Sequence, residues 1–169
     1  MDDDVTRPSR ARTPAGADLG PRWPGRPCAA AAALSVVGER WALLAIREVF
    51  FGNHRFNDIA RNTGAPRDRL AARLKDLVEA GVLERRLYQE GPARYGYHLT
   101  PAGQDLSPVL QALVMWGERW AVDRPPATIL HHDHPLTGEW QCTTCGEPVR
   151  HGEMRVEVTE PGWTRAGPV

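Results

Sequence analysis

Two groups of side chains in this 169-residue chain have types and spacings suited to chemistry. The first lies near the C-terminus. Cys142-Thr143-Thr144-Cys145-Gly146 is a CxxC knuckle followed by glycine, and His131-His132-Asp133-His134 stands just upstream. His131 and His134 repeat the two-residue gap of Cys142 and Cys145, so together they offer two thiolate and two imidazole donors at the spacing of a miniature zinc ribbon. His132 could replace His131, and zinc ribbons usually have a longer intervening segment. A closed four-ligand site of this kind would hold a structural Zn2+ that stabilises the module around it and catalyses nothing. A metal-free β extension and a redox-active CxxC are the other uses of the same residues. The remaining cysteine, Cys28, precedes an apolar run. At a helix N-terminus the macrodipole favours its thiolate, the form that reacts with oxidants and electrophiles; its plainer use is as an inert, partly buried small residue.

The second group is basic. Between residues 55 and 94 nine Lys and Arg face six Asp and Glu, whereas the whole chain balances 21 against 21, so positive charge is concentrated in the middle. That asymmetry points to a polyanion, although arginine in place of lysine almost everywhere also reflects composition. No glycine-rich phosphate loop, carboxylate pair or Ser-His-Asp arrangement can be assembled, and Cys28 has no evident base, so the chain reads as a non-enzyme.

The elements that must position these residues follow from periodicity. Residues 1–27 are rich in Asp, Arg, Pro and Gly with almost no aliphatics and predict a disordered tail. Ala29 to Val37 predicts a short apolar helix ending near Gly38. Glu39 to Phe51 predicts a second, with Trp41, Leu44, Ala45, Glu48 and Phe51 at helical spacing. Arg55 to Asn62 predicts a two-turn helix closed by Thr63-Gly64-Ala65. Pro66 to Ala80 predicts a helix with Leu70, Leu74, Leu77 and Val78 on one face and Arg67, Arg69, Arg73 and Asp76 on the other. The period then changes to two over Val82 to Tyr88 and Tyr95 to Leu99, a hairpin around Gln89 to Arg94. Thr100-Pro101 starts a helix that continues to about Val122 with Leu106, Val109, Leu110, Leu113, Trp116 and Trp120 on one stripe. Pro125-Pro126 marks a boundary, so 28–124 forms one domain and 125–169 an acidic C-terminal extension with three basic and six acidic residues.

The fold class is therefore mainly α with a β-hairpin wing, a winged helix-turn-helix, followed by a small β or zinc-knuckle extension. In that arrangement the helix from Pro66 enters the major groove of double-stranded DNA. Arg67, Arg69 and Arg73 are its groove and phosphate contacts, with Arg94 and Arg55 on backbone phosphates, because guanidinium suits guanine edges and phosphate alike. Tyr95 and Tyr97 read as wing packing. No run approaches the 18 apolar residues of a membrane span and the first 27 lack a signal core, so the expectation is a soluble, cytoplasmic protein without a membrane partner.

These residues resemble the HxlR-type winged-helix transcription regulators, relatives of the MarR group. The matching elements are Cys28, Gly38-Glu39-Arg40-Trp41, Gly52 to Ile59, Leu70 to Leu83 around Gly81, Tyr95 to Gly103, and Trp116-Gly117. Arg40 stands where the family usually carries lysine, which keeps the charge. The resemblance covers about residues 28–120. It implies a homodimer on a palindromic operator, joined through the first helix and the helix after Thr100, acting as a repressor released by a small-molecule, oxidant or electrophile effector, with Cys28 as the sensor. Two readings from other classes are a winged-fold protein-interaction or metal-binding module without operator binding, and a small-molecule sensor with its ligand near Trp41, Trp116 and Trp120.

Overall fold

The computed structural model describes residues 28–150, 152–159 and 161–169. The tail expected over 1–27 lies outside them. Six helices and two small hairpins follow in the order α1 (Ala29–Val37), α2 (Arg40–Phe50), α3 (Phe56–Thr63), α4 (Arg67–Glu79), β1 (Leu83–Gln89), β2 (Arg94–Leu99), α5 (Pro101–Gln104), α6 (Ser107–Trp120), β3 (Leu130–His131) and β4 (His134–Pro135). The chain divides into two units, Cys28–Gln111 and Ala112–Val169, with the boundary inside α6.

Local chemistry sets the helix limits. Glu39 caps α2 by accepting the Trp41 N–H at 2.8 Å. Gly64 ends α3 in the left-handed conformation, φ 68°, which β-carbon-bearing residues adopt at a cost, and its N–H closes on the Ala60 carbonyl. Pro66 stands immediately ahead of α4 and so removes no helical hydrogen bond. The core of the first unit comes from α2 (Ala42, Ala45, Ile46, Val49), α3 (Ile59), α4 (Leu70, Leu74, Leu77) and β1 (Leu83), with Val37, Ala65 and Val82. The spacing of those α4 leucines turns its opposite face, carrying Arg67, Asp68, Ala71, Ala72 and Lys75, to solvent.

One expectation is corrected. The sequence predicts a continuous helix from Thr100 to about Val122, whereas the structure breaks it at Asp105 and Leu106 into α5 and α6. Pro108 accounts for a break here: it has no N–H to give the Gln104 carbonyl, and its ring would collide with that carbonyl in a continuous helix. The short α5 is fixed at its start by Thr100, whose hydroxyl accepts the Gly103 N–H at 3.2 Å. Gly103 lies against the Val82 carbonyl, leaving no room for a Cβ.

Strands β1 and β2 pair antiparallel, with Leu83 opposite Leu99 and Leu87 opposite Tyr95, and a register shift between Leu87 and Gln89 at the tip. The residues ahead of α3 join this ribbon. Tyr97 N–H donates to the His54 carbonyl at 2.8 Å, and Arg55 bridges to Gly96. The start of α3 is thus tied to the wing by backbone hydrogen bonds. Among the described residues no single helix is long and apolar enough to cross a membrane.

Candidate nucleic-acid interface

Anchoring the start of α3 on the hairpin creates an open groove of about 430 Å3, lined by Arg55, Arg85 and Arg94 together with Phe56, Tyr88, Tyr95 and Tyr97. Two of its guanidinium groups lie over aromatic rings: Arg55 over Tyr88 at 4.9 Å and Arg85 over Tyr95 at 4.3 Å. Arg67, at the start of α4, extends the same surface. It lies 4.8 Å over the Phe56 ring and donates to Asn57 Oδ1 at 3.1 Å. Stacking and amide contacts orient a guanidinium without neutralising it.

Ion pairing sorts the basic residues. Arg73 is bound to Asp76 at 2.9 Å, Arg61 to Asp58 at 2.9 Å and Lys75 to Glu79 at 3.6 Å. Arg86 donates to Glu84 at 2.7 Å. Among the described residues Arg55, Arg67, Arg69, Arg85 and Arg94 have no carboxylate partner. Four of the five residues named from sequence for this surface therefore keep their charge available, and Arg73 does not. Arg85 was missed. Its signal was its place two residues before Leu87 in β1, but alternation, which puts Arg85 and Arg86 on opposite faces of the strand, does not say which face borders a groove. Tyr88, Tyr95 and Tyr97 line the groove as well as packing the wing.

The scaffold beneath is held by one buried charge. Glu48, 3% exposed, is the only buried charged residue among the described residues. Its Oε1 accepts Arg47 Nη2 at 2.7 Å and Nε at 3.1 Å; its Oε2 accepts Asn53 Nδ2 at 2.8 Å and Asn62 Nδ2 at 2.9 Å. Burial pushes this carboxyl up, but the hydrogen bonds from Asn62, Arg47 and Asn53 and the Arg47 charge outweigh it, leaving it below its ordinary value. The end of α2, the following loop and α3 are joined through this one carboxylate. Beside the groove, His54 and His98 stack at 4.1 Å. Burial, the neighbouring His54 and Arg86 hold His98 below the usual imidazole value.

The other named residues fall elsewhere. Cys28 is exposed at the N-cap of α1. Trp41 packs partly buried on the core, with Arg40 4.0 Å over its ring, while Trp116 and Trp120 are 62% and 66% exposed on α6. In the second unit His131 and His134 are cross-strand partners with ring centroids 5.5 Å apart. Cys142 and Cys145 form a separate pair, and backbone N–H groups of Cys145 and Thr144, then the Cys145 side chain, hold the Cys142 thiol below its ordinary value. Among the described residues no three metal-ligating side chains are gathered at one point.

Comparison with known proteins agrees with this architecture. The family model for HxlR-like helix-turn-helix proteins matches residues 36–125. An uncharacterised HTH-type transcriptional regulator of Mycobacterium tuberculosis strain H37Rv, Rv3095, is 42% identical over 137 residues, covering 77% of this chain and 83% of that one. Among solved structures, PA1607, described as a candidate transcription factor, superposes with a TM-score of 0.70 at 31% identity over 77% of this chain and 94% of its own. The redox regulator HypR in its oxidised form superposes with a TM-score of 0.51 at 28% identity over 54% and 96%. With its helix-turn-helix, its hairpin wing and a family match over more than half its length, the chain belongs to the HxlR-like helix-turn-helix family of transcriptional regulators.

Proposed function

We propose that this regulator works as a homodimer that holds a palindromic DNA operator through two winged helices and represses until an effector releases it. The observation that carries the reading is the set of five guanidinium groups without carboxylate partners, on α4 and around the groove between α3 and the wing. On a surface that folding alone had shaped, such charges would be solvated singly or paired; unneutralised, with three of the five over aromatic rings, they suit a phosphate backbone. The exposed face of α4 supports base reading, because Ala71 and Ala72 let the helix approach base edges closely while Arg67 and Lys75 flank them.

Dimerisation is supported by α6. Leu106, just ahead of it, and Leu110 in its first turn pack on the core, yet Val109, Leu113, Trp116 and Trp120 form an exposed stripe at spacings of four, three and four. A two-fold related copy would cover such a stripe and would also present two recognition helices to two half-sites. The effector reading places its chemistry at Cys28, whose position at the N-cap of α1 favours a thiolate. The similarity to HypR, a redox regulator, supports an oxidant or electrophile.

The test is fluorescence anisotropy on duplex from the region upstream of the gene, at two salt concentrations, with and without a thiol-alkylating agent. Tight binding that weakens with salt supports operator binding, and loss on alkylation that disappears in Cys28→Ser supports the sensor. Absence of any duplex binding refutes the reading in favour of a protein-interaction module.

A further inference from the structure

The second unit poses a physical problem. From Ala112 to Val169 none of the described residues is buried, and Leu130, Trp140, Met154 and Val156 are 61 to 69% exposed. A segment of this size cannot be held in a defined shape by a core it does not have, and small modules in that position need a covalent or metal staple. Neither cysteine of this unit, Cys142 or Cys145, stands in a disulfide. Nevertheless, beyond α6, the segment has local structure at a knuckle, at a hairpin and in a turn over residues 162–169, and the first two present metal-ligating pairs.

The first is the knuckle. Gly146 N–H closes on the Cys142 carbonyl at 2.7 Å, Cys142 N–H donates to the Glu147 carbonyl at 2.8 Å, and Gln141 bridges to Pro148. Gly146 adopts φ 75°, a conformation that turns the chain sharply after Cys145. This turns the chain back on itself between Cys142 and Glu147. A CxxC pair carried on such a turn has the spacing by which two thiolates ligate one ion. A redox-active CxxC instead sits by a βαβ pattern, and this pair lies in a turn that no helix follows among the described residues.

The second is the β3–β4 hairpin. A two-residue turn, His132-Asp133, with His132 at φ 52°, sets His131 directly opposite His134, so their side chains leave the same face of the ribbon. The hairpin extends to Leu136, whose N–H donates to the Ile129 carbonyl at 2.7 Å. His132 occupies the turn and is not part of that facing pair.

We propose that Cys142, Cys145, His131 and His134 bind one structural Zn2+, which draws the hairpin and the knuckle together and supplies the fixed point this unit otherwise lacks. Two thiolates and two neutral imidazoles complete a tetrahedral, electrically neutral site with no open position, so the ion is a staple and not a catalyst. Binding displaces two thiol protons to solvent. The two pairs stand as separate half-sites in the structure, and the residues between His134 and Cys142 form the loop that must close.

Zinc content of the full-length protein, purified under reducing conditions and dialysed against a weak chelator, tests this. The expected result is about one zinc per chain, lost in Cys142→Ser with Cys145→Ser, and bound at least about tenfold more weakly in His131→Ala and in His134→Ala. His132→Ala and Cys28→Ser should retain zinc. Cobalt substitution provides a readout independent of stability: tetrahedral d–d bands with a thiolate charge-transfer band are expected in the parent protein, without that charge transfer in the double cysteine variant. Zinc-free protein that also fails to take up cobalt, metal content unchanged in the double cysteine variant, or a Cys142–Cys145 disulfide in place of metal overturns the proposal. None of these outcomes depends on duplex binding by the winged unit.

Discussion

Replacing Glu48 by glutamine tests whether one buried carboxylate holds the helix-turn-helix together. Four N–H groups converge on it, two from Arg47 and one each from Asn53 and Asn62. Glutamine keeps the shape but turns one acceptor oxygen into an NH2 facing donors and removes the charge that strengthens the remaining contacts. Arg47 is one-third exposed and can recover water, so the loss falls short of that for a fully enclosed pair. Two charge-assisted hydrogen bonds lost with partial resolvation cost about 2 to 3 kcal/mol. The pH dependence has a defined sign. Because the folded carboxyl titrates below its ordinary value, its contribution is complete above the unfolded value and disappears as pH falls through the folded one. Urea unfolding followed by far-UV circular dichroism should therefore show a wide gap between parent and Glu48→Gln at neutral pH that closes in acid. A difference under about 0.5 kcal/mol at pH 7, or a gap that does not narrow in acid, would refute the account of this network.

Three further outcomes follow from the site and the packing around it. Arg85→Ala should weaken duplex binding and reduce the slope of log K against log salt by about two for a dimer, whereas Arg73→Ala, already tied to Asp76, should leave that slope nearly unchanged in the same titration. Gly103→Ala should destabilise the fold by about 1 to 3 kcal/mol in thermal or urea melts, since the new Cβ would meet the Val82 carbonyl and Leu99; a neutral result would show that α5 moves freely. His98, held below the usual imidazole value first by burial, contributes stability that is full above its unfolded value and lost as pH falls toward the folded one. NMR titration of its ring protons should find it neutral at pH 7, and protonation there would contradict the stacked His54–His98 arrangement.

The winged fold was legible because each of its elements carries a local signature. Leu70, Leu74 and Leu77 name the buried face of α4 by spacing alone, Gly64 names the end of α3, and the change of period after Gly81 names the hairpin. What the sequence left undecided depends on contacts between distant residues. One exception lies within a single helical turn: Asp76 stands three residues after Arg73, where Arg69 has Ala72, so the pair that takes Arg73 out of the free set was within reach of the sequence. Arg85 enters the site because residues ahead of α3 pair with β2, a backbone bond between His54 and Tyr97 that no periodicity announces. The break before α6 was within reach of the sequence: Pro108 was there to be read, but the apolar stripe running through it suggested continuity.

That stripe also explains why partner surfaces are harder to read than cores. Leu106 and Leu110, which pack on the core of the first unit, and Leu113, Trp116 and Trp120, which are exposed, follow one helical spacing in the sequence, because covering a helix face needs the same spacing whether the cover is the same chain or a second copy. Exposure separates them. On α4 every apolar residue of the periodic set is buried or half-buried, so its pattern is satisfied by folding; on α6 no residue is fully buried, and its largest side chains are the most exposed. A tryptophan stripe left open by its own fold costs solvation unless association covers it, so Trp116→Ala and Trp120→Ala should shift the oligomeric state in analytical ultracentrifugation while leaving the urea midpoint of the winged core unchanged. A shifted midpoint with an unaltered oligomeric state would make the stripe part of the chain's own packing and remove the argument for a second copy.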